Sequence, residues 1–396
     1  MPNRRQFAAP TLVLSSVLLL GSVVQANEYS FEYEVEGGYE YNDNVRLVPE
    51  DELEISGGWL SIPVTLGTRS ERLDASLSGE MLFSRYDEDA WDSDDQELRG
   101  DASYQFERGD VDGYARYRRD STRTSEFLDT GVTGLEARRR ETASIGGSGN
   151  HMFTENNGII GGLDFDDVDY DTSVLQDYQY LSGYAGWLHQ WSARTQVTLQ
   201  AYGSTFENDA NSGFDTEVDT ETIGARFGFD STLSESFSTS LLIGWANIDT
   251  EYSSDLLDPP ADDESNMLLL SGSLTYRGER QRVRATIESA PRPSGSGTVV
   301  ENHAVGLDYT YQMTERSNFE VEFDAGQRGA VDDSFDLDRD YARVRFGLDY
   351  RFSESWYVAG SYQYAWQDQE RAEDSADSNS ILLSVIFRPT KSVWSR

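Results

Sequence analysis

The chain contains no cysteine and only 3 histidines in 396 residues. No disulfide framework can hold it, so hydrogen bonding and packing must. His151, His189 and His303 are isolated, and no Ser/His/acid group, Gly-rich phosphate loop or metal-ligand cluster accompanies them. No catalytic residue, metal site or cofactor is expected, and the chain does not read as an enzyme. Long apolar runs are also missing. The one candidate, Leu12 to Leu20, is broken by Ser15 and Ser16 and falls short of the ~20 residues a spanning helix needs. Basic residues are few: 32 against 71 acidic, a net charge of −39. Such a chain repels nucleic-acid phosphates, so no nucleic-acid partner is expected.

The short apolar stretch fits a secretory signal peptide. Arg4 and Arg5 give the positive start, and Val24-Gln25-Ala26 gives small residues at a cleavage point. Residues 1–26 are read as signal peptide, cleaved after Ala26, and 27–396 as one domain. No cysteine follows the cleavage point, which excludes a lipoprotein. Loss of Arg4 and Arg5 takes the net charge to −41. Aromatic residues make up 12%, too many for a disordered acidic chain. Halophilic surface adaptation explains the acid excess as well as a functional field does.

What the chain does have is period-two alternation. Apolar Phe31, Tyr33 and Val35 alternate with Glu32, Glu34 and Glu36. Leu73 to Phe83, Phe319 to Ala325 and Ala342 to Phe352 repeat the pattern. These runs are about twice as long as ordinary globular strands and match the ~9–11 residues of a tilted membrane strand. Eight short turns separate them, near Arg69-Ser70, Arg108-Gly109, Phe153-Thr154-Glu155-Asn156, Trp191-Ser192-Ala193-Arg194, Leu233-Ser234-Glu235-Ser236, Gly278-Glu279-Arg280, Met313-Thr314-Glu315-Arg316 and Phe352-Ser353-Glu354-Ser355. Longer acidic loops lie between, among them Asn42 to Glu52, Tyr86 to Gln96, Asp164 to Asp177, Asn208 to Asp219, Asp249 to Ser265 and Gln367 to Asn379. This asymmetry predicts an all-β transmembrane antiparallel barrel of about 18 strands, with short periplasmic turns and longer acidic extracellular loops. A propeller would need four short strands per 40-residue repeat, where this chain has two long ones. Pro63, which cannot donate to a ladder, and the weakly patterned Arg282 to Val300 fit least well.

Aromatic residues near the strand ends predict two interfacial girdles. Phe106, Phe153, Trp187, Trp191, Tyr276, Tyr311, Phe352, Trp356 and Phe387 mark the turn end. Tyr41, Tyr86, Tyr117, Tyr170, Phe206, Trp245, Tyr364 and Trp366 mark the loop end. With apolar side chains facing lipid, their alternates line the lumen. The basic lining comprises Arg116, Arg118, Arg138, Arg140, Arg282, Arg284, Arg343 and Arg345; the acidic lining comprises Glu32, Glu34, Glu36, Glu320, Glu322 and Asp324. The strands carrying Glu320 to Asp324 and Arg343 to Arg345 are neighbours and neutralise one another. The first four arginines either line a solute path or are neutralised in the same way. Asp164, Asp166, Asp167, Asp169 and Asp171 offer carboxylate oxygens to Ca²⁺, but their spacing matches no known calcium loop and a solvated acidic loop is expected.

Tyr39-Glu40-Tyr41-Asn42-Asp43-Asn44-Val45, closing the first strand, resembles the opening motif of outer-membrane β-barrel porin families associated with exopolysaccharide export and PEP-CTERM/exosortase systems. Ser378-Asn379-Ser380-Ile381, Phe387-Arg388-Pro389 and the final Arg396 resemble their C-terminus. The resemblance implies a porin-like conduit for polar solutes, or a component of exopolysaccharide export with export components as partners. The alternative is a surface-structural or binding barrel with an occluded lumen. Outer-membrane lipid and lipopolysaccharide are expected partners. The barrel-assembly machinery is expected to read the final strand, Ser380 to Arg388, ahead of an eight-residue tail from Pro389.

Overall fold

A computed structural model describes residues 27–123, 138–172, 174–208, 216–254, 263–331, 338–370 and 374–395. Residues 1–26, the expected signal peptide, lie outside them. Alternation produces a 21-segment sheet that closes on itself as 18 barrel strands. The first strand is β1 (Glu28–Tyr33) continued by β2 (Val35–Asn42), and the second is β3 (Ile55–Ser61) continued by β4 (Val64–Arg69). Pro63 causes the second break. It has no amide hydrogen to give, and its carbonyl accepts the Glu34 amide at 3.0 Å. Next come β5 (Leu73–Tyr86), β6 (Ser93–Gln105), β7 (Gly109–Ser121), β8 (Arg139–Met152), β9 (Asn157–Tyr170), β10 (Tyr178–Ser192), β11 (Thr195–Asn208), β12 (Thr216–Thr232) and β13 (Phe237–Ser254). They are followed by β14 (Asp263–Arg277), β15 (Gln281–Ser294), β16 (Thr298–Thr314), β17 (Ser317–Ala330), β18 (Arg339–Arg351), β19 (Trp356–Gln369), β20 (Ala376–Phe387) and β21 (Ser392–Ser395).

Successive strands pair antiparallel, and the ring closes where β2 pairs with β20 and β1 with β21. The expected C-terminal tail is therefore part of the wall. Pro389 interrupts the ladder, and the register slips by one residue between Val35↔Phe387 and Phe31↔Ser392. The strand then resumes as β21. The two end motifs meet at this seam. The Asn379 amide and side chain donate to the two Asp43 carboxylate oxygens at 2.6 and 2.8 Å, and Ser378 Oγ donates to Asn42 Oδ1 at 2.9 Å. Asn44 Nδ2 reaches the Asp377 carbonyl at 2.9 Å.

The eight tight turns stand where the sequence places them, and at several a hydroxyl residue explains the local geometry. Ser70, Thr154 and Ser234 each accept the backbone amide three residues on, at 3.1, 2.9 and 3.2 Å. The hydroxyl thus supplies the acceptor the turn lacks. Several of the opposite loops, among them the one after β9, are shorter than the sequence suggests, because the strands run further. β9 reaches Tyr170, so Asp164 and Asp166 alternate with Asp167 and Asp169 on opposite faces of a strand. That separates carboxylates that a loop could have gathered.

Arg282 to Val300 holds two strands joined by the tight turn Gly295 to Gly297. β15 pairs with β14 only up to Ser289. Pro291 and Pro293 follow, and neither can donate to a neighbour on that side, so the tip of the β15–β16 hairpin leaves the wall and leans inward.

Leu163, Ile223, Leu268 and Leu383 stand exposed on the outer face. Near the turns, rings pair on that face: Tyr104 with Phe106, Phe237 with Tyr276 and Trp356 with Phe387, at 4.8, 4.7 and 5.0 Å between centroids. Tyr86, Tyr170 and Phe206 do not join the second girdle. They sit on inward positions of β5, β9 and β11 and are 8%, 7% and 1% exposed. A shift of one residue along a strand changes the face.

Two outcomes test the wall. Val344→Arg, on the outer face of β18, should cost ~2–4 kcal/mol of folding in lipid, whereas Arg345→Glu, facing in, should still assemble. Urea titration of the refolded barrel compares them, and equal stability would reverse the face assignment. At the seam, Asn379→Ala removes one of the paired bonds to Asp43 and should cost ~1–2 kcal/mol. That cost reads as a lower temperature for loss of the compact, fast-migrating form on a gel.

Candidate luminal site

Inward-facing side chains come from every second residue of each strand, so the inner wall is written by alternation. Several of its charges are paired. Arg116 Nη2 lies 2.8 Å from Glu97 and Arg118 Nη2 2.8 Å from Asp120. Arg343 lies 2.7 Å from Asp324, and Arg345 3.8 Å from Glu322. Arg140 is buried with its guanidinium 5.8 Å from the Tyr170 ring. Arg138 stands just before β8, exposed at the barrel mouth, and its amide donates to Thr122 Oγ1 at 3.1 Å. The acidic residues of the first strand serve the seam. Glu32 pairs with Lys391 at 2.6 Å, Glu34 pairs with Arg388, and Glu36 accepts from Ser384 Oγ at 2.7 Å. Glu320 is exposed on β17. Arg282 and Arg284 have no carboxylate within ion-pair distance among the described residues. Arg284 lines a cavity of about 580 Å³ with Ser240, Ser271, Ser273, Thr286 and Asn302.

Three arrangements were not legible beforehand. First, guanidinium groups lie over inward tyrosine rings: Arg99 over Tyr114 at 5.2 Å, Arg123 over Tyr86 at 4.7 Å, and Arg226 over Tyr202 at 4.4 Å and Tyr184 at 5.4 Å. Arg328 and Arg339, both buried, flank Tyr341 at 5.4 and 5.1 Å. Stacking holds a long cationic side chain along the wall and leaves its N–H edges available.

Second, Arg123, just beyond β7, crosses to the first strand. Its guanidinium reaches both Glu40 carboxylate oxygens at 3.3 Å and donates to the Tyr86 hydroxyl at 2.6 Å. That hydroxyl in turn donates to Glu40 at 2.6 Å. The partners lie 83 residues apart, so no local pattern announces them.

Third, the loop end of the inner wall is not uniformly polar. Val168, Tyr170, Leu175, Tyr178, Phe206 and Val299 form one buried cluster, Ala246, Ile248, Met267 and Leu269 another, and Val331 packs against both. The inward-leaning β15–β16 tip covers this surface. Asn208 Nδ2 donates to Gln176 Oε1 and to the Gly297 carbonyl, the latter at 3.1 Å, and the Gln176 amide donates to the Gly295 carbonyl at 2.8 Å. The inward parity of Tyr170 and Phe206 could have signalled the cluster; nothing in the sequence could have signalled the hairpin docked on it.

No protein-family profile matches the chain, and no curated protein matches it. Solved structures do. OccAB4 of Acinetobacter baumannii aligns at a TM-score of 0.46 and 10% identity, over 93% of this chain and 99% of that one. OpdO of Pseudomonas aeruginosa aligns at 0.46 and 12%, over 91% and 98%. The alcaligin outer-membrane receptor FauA of Bordetella pertussis aligns at 0.45 and 11%, over 90% and 76%.

The hairpin latch yields a prediction. Gly297 has φ +87°, and a Cβ there would collide with the Gln176 side chain. Gly297→Ala should cost ~1–3 kcal/mol through backbone strain. It should also expose the hairpin tip to limited proteolysis that leaves the wild-type barrel uncut.

Proposed function

We propose that this protein is an outer-membrane barrel serving as a porin-like conduit for polar, charged solutes. One observation carries the reading: the ring of 18 strands is complete, with exposed aliphatic and aromatic side chains outside and paired charges, hydroxyls and a cavity of about 580 Å³ inside. In lipid every backbone donor and acceptor must be bonded within the protein, and a closed barrel meets that requirement with no free edge. A ring of this size has room for an aqueous path. The periplasmic turns, the extracellular loops and export by a signal peptide belong to the same reading.

The β15–β16 tip narrows the loop end on the β9–β14 side, and among the described residues no plug domain is inserted below it. That favours a constricted conduit over a sealed surface barrel. The exopolysaccharide arm has less behind it. The motifs that suggested it, around Asp43 and Asn379, bond to each other across the seam and point to barrel closure, not to a sugar.

Reconstitution in planar bilayers tests the proposal. The barrel should give discrete conductance steps. Replacing Arg116 and Arg118 with Ser leaves Glu97 and Asp120 uncompensated, so permeability should shift toward cations. A protein that inserts as a heat-modifiable barrel yet never conducts would be a structural or binding barrel instead.

A further inference from the structure

Among the arginines inside the barrel without an ion pair, Arg226 is one that aromatic rings hold. Arg226 lies near the middle of β12, and Ile223 and Phe227 on the same strand stand exposed on the outer face, so Arg226 sits at the depth of the apolar belt. Its guanidinium is held by rings from the two preceding strands: Tyr202 of β11 at 4.4 Å and Tyr184 of β10 at 5.4 Å. No carboxylate lies within ion-pair distance of it among the described residues, and its Nε is buried without an acceptor.

The surroundings are built around this placement. A Cβ at Gly162 would come within 2.7 Å of the Tyr184 ring, so the ring lies flat against the wall only because residue 162 is glycine. A Cβ at Gly244, directly across from Arg226, would come within 2.8 Å of Arg226 Cγ. The Tyr202 hydroxyl is tied to Tyr180 at 3.2 Å, which fixes the platform.

An unpaired cation at membrane depth is costly and is the kind of residue that marks a solute path. Two aromatic faces offset only part of the lost hydration. What the guanidinium lacks is an oxyanion, and its planar fork is shaped to take one through two parallel N–H···O bonds. The paired arginines cannot serve, because Glu97, Asp120, Asp324 and Glu322 already occupy Arg116, Arg118, Arg343 and Arg345.

We infer that Arg226, clamped on Tyr184 and Tyr202, is a mid-barrel recognition site for the oxyanion group, carboxylate or phosphate, of a small anionic solute. The conduit reading enters only in that the solute must reach mid-barrel. The net −41 of the exported chain excludes non-specific attraction of anions, so preference for them must come from a local site such as this one.

The test uses the full barrel in detergent micelles, with glucuronate, glucose 6-phosphate and glucose as probes in calorimetric titrations. At least one of the two anionic probes should bind tenfold or more tighter than glucose, and which one does separates carboxylate from phosphate recognition. Arg226→Gln should reduce that probe to the level of glucose. Arg226→Lys keeps a positive charge but loses the planar fork, and should retain less than a tenth of the affinity; it also serves if the Gln variant fails the heat-modifiability check. Arg194→Gln, in the exposed β10–β11 turn, should bind as the wild type does. Equal binding of all three probes by the wild type, or an undiminished preference in folded Arg226→Gln or Arg226→Lys, would overturn the inference. Binding without conductance would retain the site and discard the conduit, and conductance without the preference would do the reverse.

Discussion

Everything in this barrel depends on the pairing of its first strand with its last. In lipid an unpaired strand edge exposes a row of donors and acceptors with no water to satisfy them, at several kcal/mol each. Seventeen good pairings would leave two such edges, and only the eighteenth removes them. The ends of the chain carry matching devices for this. Asp43 and Asn379 clasp the loop end, while Glu34 with Arg388 and Glu32 with Lys391 clasp the turn end. The one-residue slip near Pro389 lets the last strand continue past a residue that cannot pair, and β21 fills the wall beside β1.

Closure creates an interior with its own electrostatic problem. An acidic chain must fold its charges inward without filling the pore and without leaving them uncompensated. Direct ion pairs solve this for Arg116, Arg118, Arg343 and Arg345, and stacking on tyrosine solves the steric part for others by laying the side chains along the wall. Where both solutions hold, as at Arg123 with Glu40 and Tyr86, the arginine is a strut between distant strands. Where only stacking holds, as at Arg226, the charge stays available.

Strand existence, count and most of the facing were legible because the barrel wall is a repetitive object, although Tyr86, Tyr170 and Phe206 turn inward. The turns at Ser70, Thr154 and Ser234 could be placed closely because one hydroxyl there accepts one amide. The inner architecture was far less legible. Arg116 and Arg343 could be assigned to the interior from parity, but their partners depend on register between strands, which a single strand does not encode. The hairpin at Gly295 to Gly297 was hidden for the same reason. Pro291 and Pro293 announce that β15 leaves its neighbour, but the surface it docks on, Tyr170, Gln176 and Asn208, comes from residues more than 80 positions away. The end motifs drew attention as family marks, whereas their physical content is a set of bonds to each other.

The seam also orders events in time. Asp43 and Asn379 are separated by 336 residues, so the bonds that finish the ring join the first strand made to the last. Each turn-linked pair can form as soon as its second strand exists, at low loop-closure cost, but the ring cannot close until nearly the whole chain is present. Until then the β1–β2 edge is an open template for any other extended chain. A nascent barrel of this design therefore passes its whole assembly with its β1–β2 edge open, beside the edge of its newest strand, until its own C-terminus arrives.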